Sequence, residues 1–372
     1  MRILQFGKSY PPSLGGVQKV IFDITVGLNL AGTQCDVLCC NDDKKFQVES
    51  LGQYSITRCK SWGKLAGTYI SPQLVVQLFK QNRKYDVIHV HHPEPMATLA
   101  LWLVRPKIPI VVHWHSDIVK QRIALLFFKL FQNWLLNRAD RIIATSPKYA
   151  SESSHLSKFQ HKVTPIPIGI VESDLTPDKT KCDALKASYN SKFVIFSLGR
   201  LVYYKGFEYL IESAKSLDND FLILIGGTGP LHGKLEQLIQ SHQLQNKVKL
   251  LGYLTDLEIA NYFYSCDVFC LPSIEKTEAF GIVQIEAMSF SKPVISTEIP
   301  YSGVSWVNQH NESGIIVPPK NIEKLTEAIQ ILKIDKELYS NFALGARKRF
   351  ELCFKREIMI SEIIKVYRSL SN

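Results

Sequence analysis

The segment from residue 192 to residue 225 decides the fold class and reads KFVIFSLGRLVYYKGFEYLIESAKSLDNDFLILI. Its first apolar run, Lys192–Leu198, has the length and the β-branched and aromatic content of a buried strand. After a loop that contains glycine, Phe207–Leu217 carries apolar residues at helical spacing, and Phe221–Ile225 is a second strand-like run. A strand, a helix and a strand in this order predict a parallel sheet that is covered by helices.

The same alternation runs outward from this segment along the whole chain. In the first half the sequence predicts strands at Arg2–Gly7, Asp36–Cys40, Asp86–His91, Pro109–His113 and Arg141–Thr145, and helices at Val17–Leu30, Pro72–Gln81, Glu94–Val104, Ile118–Asn137 and Pro147–Ser157. In the second half it predicts further strands at Val248–Leu251, Val268–Leu271 and Pro293–Thr297, further helices at Pro230–His242, Asp256–Ser265 and Phe280–Ser289, and three terminal helices from Asn321 onward.

These elements predict an α/β protein with two domains. The turn-rich span Pro165–Pro177 separates the halves, so we place the domains at residues 1–170 and 171–353. Each domain is expected to be a Rossmann-like, doubly wound parallel sheet, and the two are expected to face each other across a cleft. In such folds the ligand binds at the carboxyl ends of the strands.

Composition and charge limit the function classes. The length of 372 residues fits two domains, and 46% hydrophobic with 21% charged residues excludes a largely disordered chain. The net charge of +10 comes from 44 Lys and Arg against 34 Asp and Glu. Residues 1–170 carry 21 of these cations and 10 of the anions, a net +11, whereas residues 171–372 carry 23 and 24, a net −1. An anionic partner, either a membrane surface or nucleic acid, is therefore expected at the first half.

The cysteines and the apolar segments predict a cytoplasmic protein. The apolar run at the N-terminus is shorter than the core of a signal peptide, and the longest apolar segment, Ile123–Leu136, is interrupted by polar residues. The 8 cysteines form no CxxC pair, and several lie in strand-like apolar runs, which is typical of buried reduced thiols.

Two glycine-containing turns could bring the backbone close to an anion. Pro11–Val17 contains Gly15 and Gly16 at the start of the first helix, where the turn could bind an anion or could simply need a positive φ. Gly226–Pro230 could let a nucleotide lie close, although it does not complete a dinucleotide-binding fingerprint.

The loop after Leu198 carries two cations, Arg200 and Lys205. At the carboxyl end of a strand they could neutralise a diphosphate, and an arginine can bind two oxygens at once. The alternative is a solvated basic loop without a ligand.

The most informative stretch is Glu275–Ala287. Glu278 precedes the predicted helix and Glu286 lies inside it, about 10 Å further along the helix axis. The first-turn amides would form an anion site between the two carboxylates, and the residues concerned are Phe280, Gly281, Ile282 and Val283. The alternative is that Glu278 caps the helix and that Glu286 is exposed, although this apolar helix requires a polar partner for a carboxylate in its middle.

Histidines at the ends of two predicted strands raise a metal hypothesis. Strand alternation places His113 and His115 on one face, and Asp117 follows them. This HxHxD pattern occurs in binuclear metallohydrolases, which continue with a histidine where this chain has Ile118. His89, His91 and His92 form a similar group at another strand end, where histidines more often serve as polar lining.

Together these motifs resemble the retaining glycosyltransferases of family 4, the group 1 glycosyl transferases with the GT-B fold. The resemblance covers essentially the whole chain. The segments that carry it are Pro11–Val17, His115–Asp117, Pro167–Ile170, Gly199–Gly206, Gly226–Pro230, Leu251–Leu254 and Glu278–Glu286.

The resemblance implies roles for residues of both halves. Glu278 would hold the hydroxyls of the transferred sugar, Glu286 would bind the ribose, and Arg200 with Lys205 would neutralise the leaving diphosphate in place of a metal ion. The remaining implied contacts are the amides of Phe280, Gly281, Ile282 and Val283 to sugar and diphosphate oxygens, Gly16 near the phosphate and acceptor, His115 to the sugar, and Tyr253 or Leu254 beside the base. The terminal helix, residues 354–372, would pack back onto the first domain.

The helix predicted at Ile118–Asn137 could contact a membrane. At about 100° per residue one face carries Ile123, Phe127, Leu130, Phe131, Trp134 and Leu135, and the opposite face carries polar and basic residues with Leu125 and Leu136 among them. A basic helix with exposed apolar residues suits peripheral membrane binding, and the alternative is a helix packed in the core.

The sequence therefore predicts an enzyme that transfers a hexose, with mannose as the specific expectation, from a GDP- or UDP-linked sugar to a lipid-linked oligosaccharide. Configuration would be retained, no metal or cofactor would be needed, and the setting would be bacterial surface polysaccharide or O-antigen synthesis at the inner face of the plasma membrane. The alternatives are a metallohydrolase using His113, His115 and Asp117, and a sugar-nucleotide 2-epimerase. Nucleic acid is not an expected partner, since interleaved aromatic and basic motifs are missing from the sequence.

Overall fold

The chain forms two compact units. A computed structural model describes residues 1–13, 15–65, 67–117 and 122–370, with the backbone alone for residues 122–128. The first unit comprises Met1–Gly169 together with Arg356–Asn372, and the second unit comprises Ile170–Lys355.

The first unit is built on a mostly parallel sheet of 8 strands in the order β10-β9-β8-β7-β1-β2-β4-β3. Its strands are β1 (Arg2–Gly7), β2 (Gln34–Cys40), β3 (Gln47–Leu51), β4 (Tyr54–Cys59), β7 (Val87–His92), β8 (Ile110–Trp114), β9 (Arg141–Ala144) and β10 (Val163–Pro165), and a separate hairpin consists of β5 (Gly63–Leu65) and β6 (Thr68–Ile70). Its helices are α1 (Gly16–Leu30), α2 (Pro72–Gln81), α3 (Pro95–Val104), α4 (Arg122–Arg138), α5 (Pro147–Glu152) and, from the end of the chain, α14 (Arg356–Arg368). The central strands β7 and β8 are buried along their whole length, which explains their nearly continuous apolar runs.

The second unit is built on a parallel sheet of 6 strands in the order β13-β12-β11-β14-β15-β16. Its strands are β11 (Phe193–Leu198), β12 (Phe221–Gly226), β13 (Val248–Gly252), β14 (Val268–Leu271), β15 (Val294–Thr297) and β16 (Gly314–Val317). Its helices are α6 (Lys179–Ser188), α7 (Phe207–Ser213), α8 (His232–Ser241), α9 (Asp256–Ser265), α10 (Ile282–Ser289), α11 (Val304–Val307), α12 (Ile322–Ile334) and α13 (Lys336–Cys353). The strand order changes direction between β11 and β14, and their carboxyl ends are therefore the expected ligand position in this sheet.

Residues 47–70 contain four short strands that the sequence pattern does not predict. The edge strand β3 runs antiparallel to β4, so the sheet of the first unit is not purely parallel. Val48 and Leu51 of this strand are exposed, and its side chains therefore lack the buried alternation from which strands are recognised.

Helix α4 differs from the predicted amphipathic pattern. Leu136, expected on the polar face, is fully buried, and Gln132 is buried and bonds the His155 ring at 2.9 Å. Leu130, assigned to the apolar face, is 71% exposed. Leu135 of the plotted apolar face is fully buried and Trp134 packs against the core, so the buried side overlaps the plotted face but extends from it to Gln132 and Leu136. The side chains of Ile123, Leu125 and Phe127 lie outside the described residues, as do residues 118–121.

The last helix, α14, packs on α1 within the first unit. A Cβ added at Gly27 of α1 would lie 2.6 Å from Cγ1 of Ile360, so the two helices meet at a position without a side chain. The hydroxyl of Tyr367 lies 2.5 Å from Nδ1 of His89, which ties α14 to β7. Over the described part of the chain, no helix combines the length and the apolar character that crossing a bilayer requires.

All 8 cysteines are free thiols, and 7 of them are buried.

Candidate active site

Two loops of the second unit lie against each other at the carboxyl ends of β11 and β14. In the loop after β11, Gly206 adopts φ 66°, and an added Cβ would lie 2.2 Å from the carbonyl oxygen of Pro272. The amide of Ile274 donates to the carbonyl of Tyr204 at 2.8 Å. These backbone contacts require glycine at position 206 and hold the two loops in one arrangement.

Lys205 and Glu278 face each other from these two loops. Lys205 Nζ lies 2.6 Å from Oε2 of Glu278, and the two side chains are only 10% and 12% exposed. The hydroxyl of Ser273 donates to the same carboxylate oxygen at 3.1 Å. Because Lys205 has three N–H donors and one is directed at Glu278, further donors remain for an anion. Arg200, on the same loop, is exposed, so this loop also presents a second cation to solvent.

The surroundings of this ion pair are partly shielded from water. Burial and the nearby charge of Glu278 raise the pKa of Tyr204, whose phenol therefore stays neutral beside the pair. On the other side, a Cβ added at Gly199 would lie 3.1 Å from Nζ of Lys205, so the ammonium group packs directly on the backbone of its own loop.

Helix α10 begins two residues later than predicted. Gly281 is its N-cap with φ 74°, and no side-chain cap is present at this described position. The described residues also form backbone hydrogen bonds that lie outside their helices and strands. None of these is donated by the amides of Phe280, Gly281, Ile282 and Val283. Only Ile282 and Val283 belong to the helix itself, and the role of these four amides as anion donors stays a prediction. Free amides at a helix start favour anions.

The two carboxylates of the motif are placed as predicted relative to the helix, with Glu278 before α10 and Glu286 inside it. Glu278 lies in the loop before Gly281, whose left-handed conformation ends any helical continuation toward it. Glu286 lies within α10 and is half-buried. Glu278 does not cap the helix either, since its carboxylate is held by Lys205 and Ser273.

The glycines of the turn after β12 have a packing role. A Cβ at Gly227 would lie 2.0 Å from the carbonyl oxygen of Gly199, and one at Gly229 would lie 2.5 Å from that of Leu201. The amide of Leu201 donates to the carbonyl of Thr228 at 2.9 Å. The turn therefore supports the loop that carries Arg200 and Lys205, a different role from the close approach to a nucleotide that the sequence suggested.

The residues expected beside the base differ in exposure. Tyr253 is exposed and could stack on a planar ligand. Leu254 is buried, and its Cδ1 would lie 2.6 Å from a Cβ added at Gly226, so it is a packing residue. Of the two alternatives, only Tyr253 has a side chain available to a ligand in this structure.

In the first unit, Gly15 and Gly16 form the start of α1. Gly15 adopts φ 154°, and an added Cβ would lie 2.3 Å from Oε1 of Gln18. Gly16 is the first residue of the helix and is exposed. The turn thus needs glycine at position 15 for its backbone, and it leaves Gly16 accessible to a ligand.

The histidines of β7, of β8 and of the residue that follows β8 form a buried polar layer. Nδ1 of His91 lies 2.8 Å from Nε2 of His115, and Nε2 of His91 lies 2.6 Å from Oε1 of Gln5. The rings of His113 and His115 stack with centroids 4.2 Å apart. Burial holds the pKa of His89 and of His115 at about 3 and that of His113 well below its usual range, so these rings are neutral near pH 7.

The predicted metal set of His113, His115 and Asp117 is not assembled. Oδ1 of Asp117 accepts hydrogen bonds from Trp114, Tyr149 and Ser153 at 3.0, 2.8 and 3.1 Å. Among the described residues, the three possible metal ligands whose atoms all lie within 4.8 Å of one another are His89, His91 and His113. Both nitrogens of His91 already have hydrogen-bond partners, so an ion here would have to displace them.

Family models match both halves of the chain. The model described as Glycosyltransferase Family 4 matches residues 14–173, and the model described as Glycosyl transferases group 1 matches residues 178–349. Over 371 residues the chain is 31% identical to O-antigen chain mannosyltransferase C of Escherichia coli, with 100% of this chain and 99% of that protein covered. The chain belongs to glycosyltransferase family 4.

Further comparisons agree with this family 4 glycosyltransferase assignment. The chain is 29% identical over 356 residues to D-rhamnosyltransferase WbpZ of Pseudomonas aeruginosa, with 95% of this chain and 92% of that protein covered. Sucrose-phosphate synthase from Thermosynechococcus elongatus superposes with a TM-score of 0.81 at 21% identity, covering 100% of this chain and 99% of that one. Anabaena Alr3699/HepE in complex with UDP-glucose superposes with a TM-score of 0.78 at 20% identity, covering 99% and 100%. These structures confirm the GT-B fold class.

The glycosyltransferase assignment disfavours both alternatives, the metallohydrolase and the 2-epimerase.

Of the predicted site residues, the structure brings Lys205 and Glu278 into direct contact and leaves Arg200 exposed on the same loop. The predicted roles of Gly16, His115 and Glu286 stay predictions. Two further residues that hold Glu278 were not predicted: Ser273, which bonds its carboxylate, and Ser302, which donates to its backbone carbonyl. Neither serine carries a motif by which sequence reasoning could have found it.

Proposed function

We propose that this glycosyltransferase moves mannose from a nucleotide-diphosphate sugar to a lipid-linked oligosaccharide in bacterial O-antigen or surface polysaccharide synthesis. The donor sugar and setting follow relatives named O-antigen chain mannosyltransferase and putative colanic acid biosynthesis glycosyltransferase. A nucleotide donor is supported by the HepE structure, which contains UDP-glucose. The proposed location is the cytoplasmic face of the plasma membrane, with peripheral binding to anionic lipid supported by the positive first half of the chain.

The observation that carries the proposal is the Lys205–Glu278 ion pair. The loop of Lys205 also carries the exposed Arg200, and the loop of Glu278 leads to the amides of residues 280–283, which donate no backbone hydrogen bond to the described residues outside regular elements. In the reaction, the bond from the sugar anomeric carbon to the phosphate oxygen breaks, and negative charge develops on the leaving diphosphate. Preorganised cations and N–H groups stabilise that charge. A metal ion is then not required for this task.

The remaining residues receive roles consistent with this geometry. Glu278, held by Lys205 and Ser273, positions the hydroxyls of the transferred sugar, and Glu286 binds the ribose. Tyr253 covers the base. The acceptor oxygen forms its new bond to the anomeric carbon on the face that the diphosphate leaves, which retains configuration. Its proton passes to the departing phosphate oxygen, so that no separate protein base is needed.

In the first unit, Gly16 and His115 contact the phosphate, the sugar and the acceptor in this proposal. His115 is neutral because burial lowers its pKa to about 3, so its ring acts as a hydrogen-bonding group and not as a cation.

The test replaces each member of the ion pair. Lys205→Ala and Glu278→Ala are each expected to lower the transfer rate at least about a hundredfold, since each removes a contact to the transition state. Transfer is measured with GDP-mannose and UDP-glucose as donors, with EDTA present to test independence from metal. Lys215→Ala is the matched control, because Lys215 pairs with Glu212 at 2.8 Å on the surface. Near-normal transfer by both site variants, with thermal stability intact, would contradict the proposed site.

A further inference from the structure

The β5–β6 hairpin presents large apolar side chains to solvent. Trp62, which immediately precedes β5, and Leu65, at its end, are each 68% exposed, and Ile70 at the end of β6 is also exposed. The amide of Trp62 donates to the carbonyl of Ile70 at 2.8 Å, so the two side chains stand on one paired backbone. Tryptophan at this level of exposure is uncommon in soluble domains and enriched where proteins meet the lipid–water boundary.

Lysines surround these apolar side chains. Lys60 and Lys64 flank Trp62 in the sequence, and both are exposed. The hairpin also touches the loop of residues 41–46, since the hydroxyl of Ser61 donates to the carbonyl of Asn41 at 3.1 Å and Lys64 pairs with Asp42 at 3.3 Å.

That second loop adds cations and one more aromatic side chain. Lys44, Lys45 and Phe46 are consecutive and exposed. The four lysines of the two loops outnumber the acidic residues beside them, Asp42 and Asp43. Exposed apolar residues with a surplus of lysines form the pattern of a protein surface that binds anionic lipid.

This surface lies next to the loop that leads to Gly16, a candidate acceptor residue of the first unit. The hairpin and the 41–46 loop follow the carboxyl ends of β4 and β2. Arg58 near the end of β4 donates to the carbonyl of Tyr10 at 3.0 Å, and Ser13 bonds the Asp42 carboxylate. The surface therefore adjoins the loop that leads to Gly16, within the same unit.

We propose that the β5–β6 hairpin and the 41–46 loop form a membrane-docking surface, with Trp62 and Leu65 inserted among the headgroups of an anionic bilayer and the lysines bound to its phosphates. The proposal rests on the proposed function, because a lipid-linked acceptor would be held in that membrane next to the Gly16 loop. A symmetric contact with a second copy of the chain is disfavoured, since it would place the lysines of both copies against each other.

This surface differs from the helix that the sequence suggested. Leu130 of α4 is exposed, but the neighbouring Gln132 and Leu136 are buried in the first unit. Replacing the exposed Leu130 on α4 therefore serves as a control for replacing the exposed apolar residues of the hairpin in membrane-binding experiments.

The experiment compares full-length variants in sedimentation with vesicles of three parts phosphatidylethanolamine to one part phosphatidylglycerol. Trp62→Ser with Leu65→Ser is expected to weaken binding at least about tenfold, and so is Lys44→Glu with Lys45→Glu. Leu130→Ser with Leu103→Ser, which removes two exposed leucines elsewhere in the first unit, is expected to bind like the wild type. Wild-type binding is expected to weaken with added salt.

Several outcomes would overturn the proposal. Wild-type binding by the Trp62/Leu65 variant, or an equal loss in the Leu130/Leu103 control, would show that the hairpin is not the docking surface. A wild-type dimer in light scattering that becomes monomeric in the hairpin variant, with vesicle binding unchanged, would assign the surface to self-association. Transfer to a water-soluble acceptor separates the docking proposal from the proposed function. With this acceptor the hairpin variant should transfer sugar as fast as the wild type. If the wild type itself shows no transfer, the proposed function is contradicted, but the vesicle-binding result is unaffected.

Discussion

At the scale of single residues, Gly206 holds the candidate active site together. Its φ of 66° is costly for any residue with a side chain, and an added Cβ would lie 2.2 Å from a backbone oxygen of the facing loop. The ammonium group that precedes it, on Lys205, is positioned by this contact. The glycine thus links backbone geometry to the chemistry of the site.

Gly206→Ala is expected to lower the free energy of unfolding by about 2 kcal/mol and to reduce transfer, because the loop must shift away from Pro272. Gly233→Ala is the matched control, since Gly233 lies in α8 with open space around it and is expected to gain up to about 1 kcal/mol. Denaturant unfolding and transfer rates measure both variants. Equal stability of Gly206→Ala and the wild type would show that the loop contact is dispensable.

Sequence reasoning identified Lys205 and Glu278 at this scale but not their mutual contact. Each residue was recognisable from its own loop motif. The ion pair depends on β11 lying beside β14, where Ile195 pairs with Val268. Such a neighbourhood is set by strand order, which no local pattern contains.

At the scale of elements, the neighbouring strands β7 and β8 carry a stack of neutral histidines. In the unfolded chain a histidine takes up a proton near pH 6.5, whereas burial lowers the folded-state pKa of His89, His92 and His115 to about 3. The unfolded state therefore binds more protons between these values. The stability that these histidines contribute is present above about pH 6.5 and is lost as the pH falls toward 3.

His113→Leu tests this acid sensitivity. Both ring nitrogens of His113 are buried without a hydrogen-bond partner among the described residues, so an apolar side chain of similar size should be tolerated at neutral pH. Between about pH 6 and pH 4, the free energy of unfolding of the wild type should fall as the pH falls. In His113→Leu the slope of this fall should be smaller by up to about 1.4 kcal/mol per pH unit. Urea unfolding across this range measures the slope. His161→Leu, at an exposed position, is the control, and parallel slopes for His113→Leu and the wild type would contradict the expectation.

Helices and strands were predicted correctly where their side chains are uniformly buried. The prediction failed at the start of α10 and at the exposed edge strand β3. The buried runs of β11 and β12 are apparent from composition alone, and their observed bounds lie close to those predicted. The start of α10 was misplaced because Gly281, inside an apolar run, takes a left-handed conformation that periodicity does not register. The exposed edge strand β3 was missed for the reason that its side chains do not alternate in burial.

At the scale of the molecule, the end of the chain completes the first unit. Helix α14 buries Met359, Ile360, Ile363, Val366 and Tyr367 in that unit. Its contact with α1 depends on Gly27, and its Tyr367 hydroxyl reaches the histidine layer at His89. The first unit is therefore built from two segments that are far apart in the sequence.

A chain that ends at Lys355 is expected to lose stability in the first unit. Each buried apolar side chain of α14 contributes about 1.5–3 kcal/mol, so the melting transition of this unit should fall by at least about 10 °C. Calorimetry should show this while the transition of the second unit stays in place. A chain that ends at Leu370 is the control, and equal melting of the two truncated chains would show that α14 is not part of the folded unit.

By itself, the sequence determined the fold class and the family, and it predicted residues of a donor site that stay predictions. These properties follow from local patterns: apolar runs, helical spacing and motif residues within one loop. The tertiary structure decided which loops touch: the pairing of Lys205 with Glu278, the glycine packing around the Lys205 loop, the neutral histidine layer and the exposed hairpin around Trp62. The physical reason is that burial and ion pairing depend on which strands become neighbours, and that order is settled only when distant segments pack together.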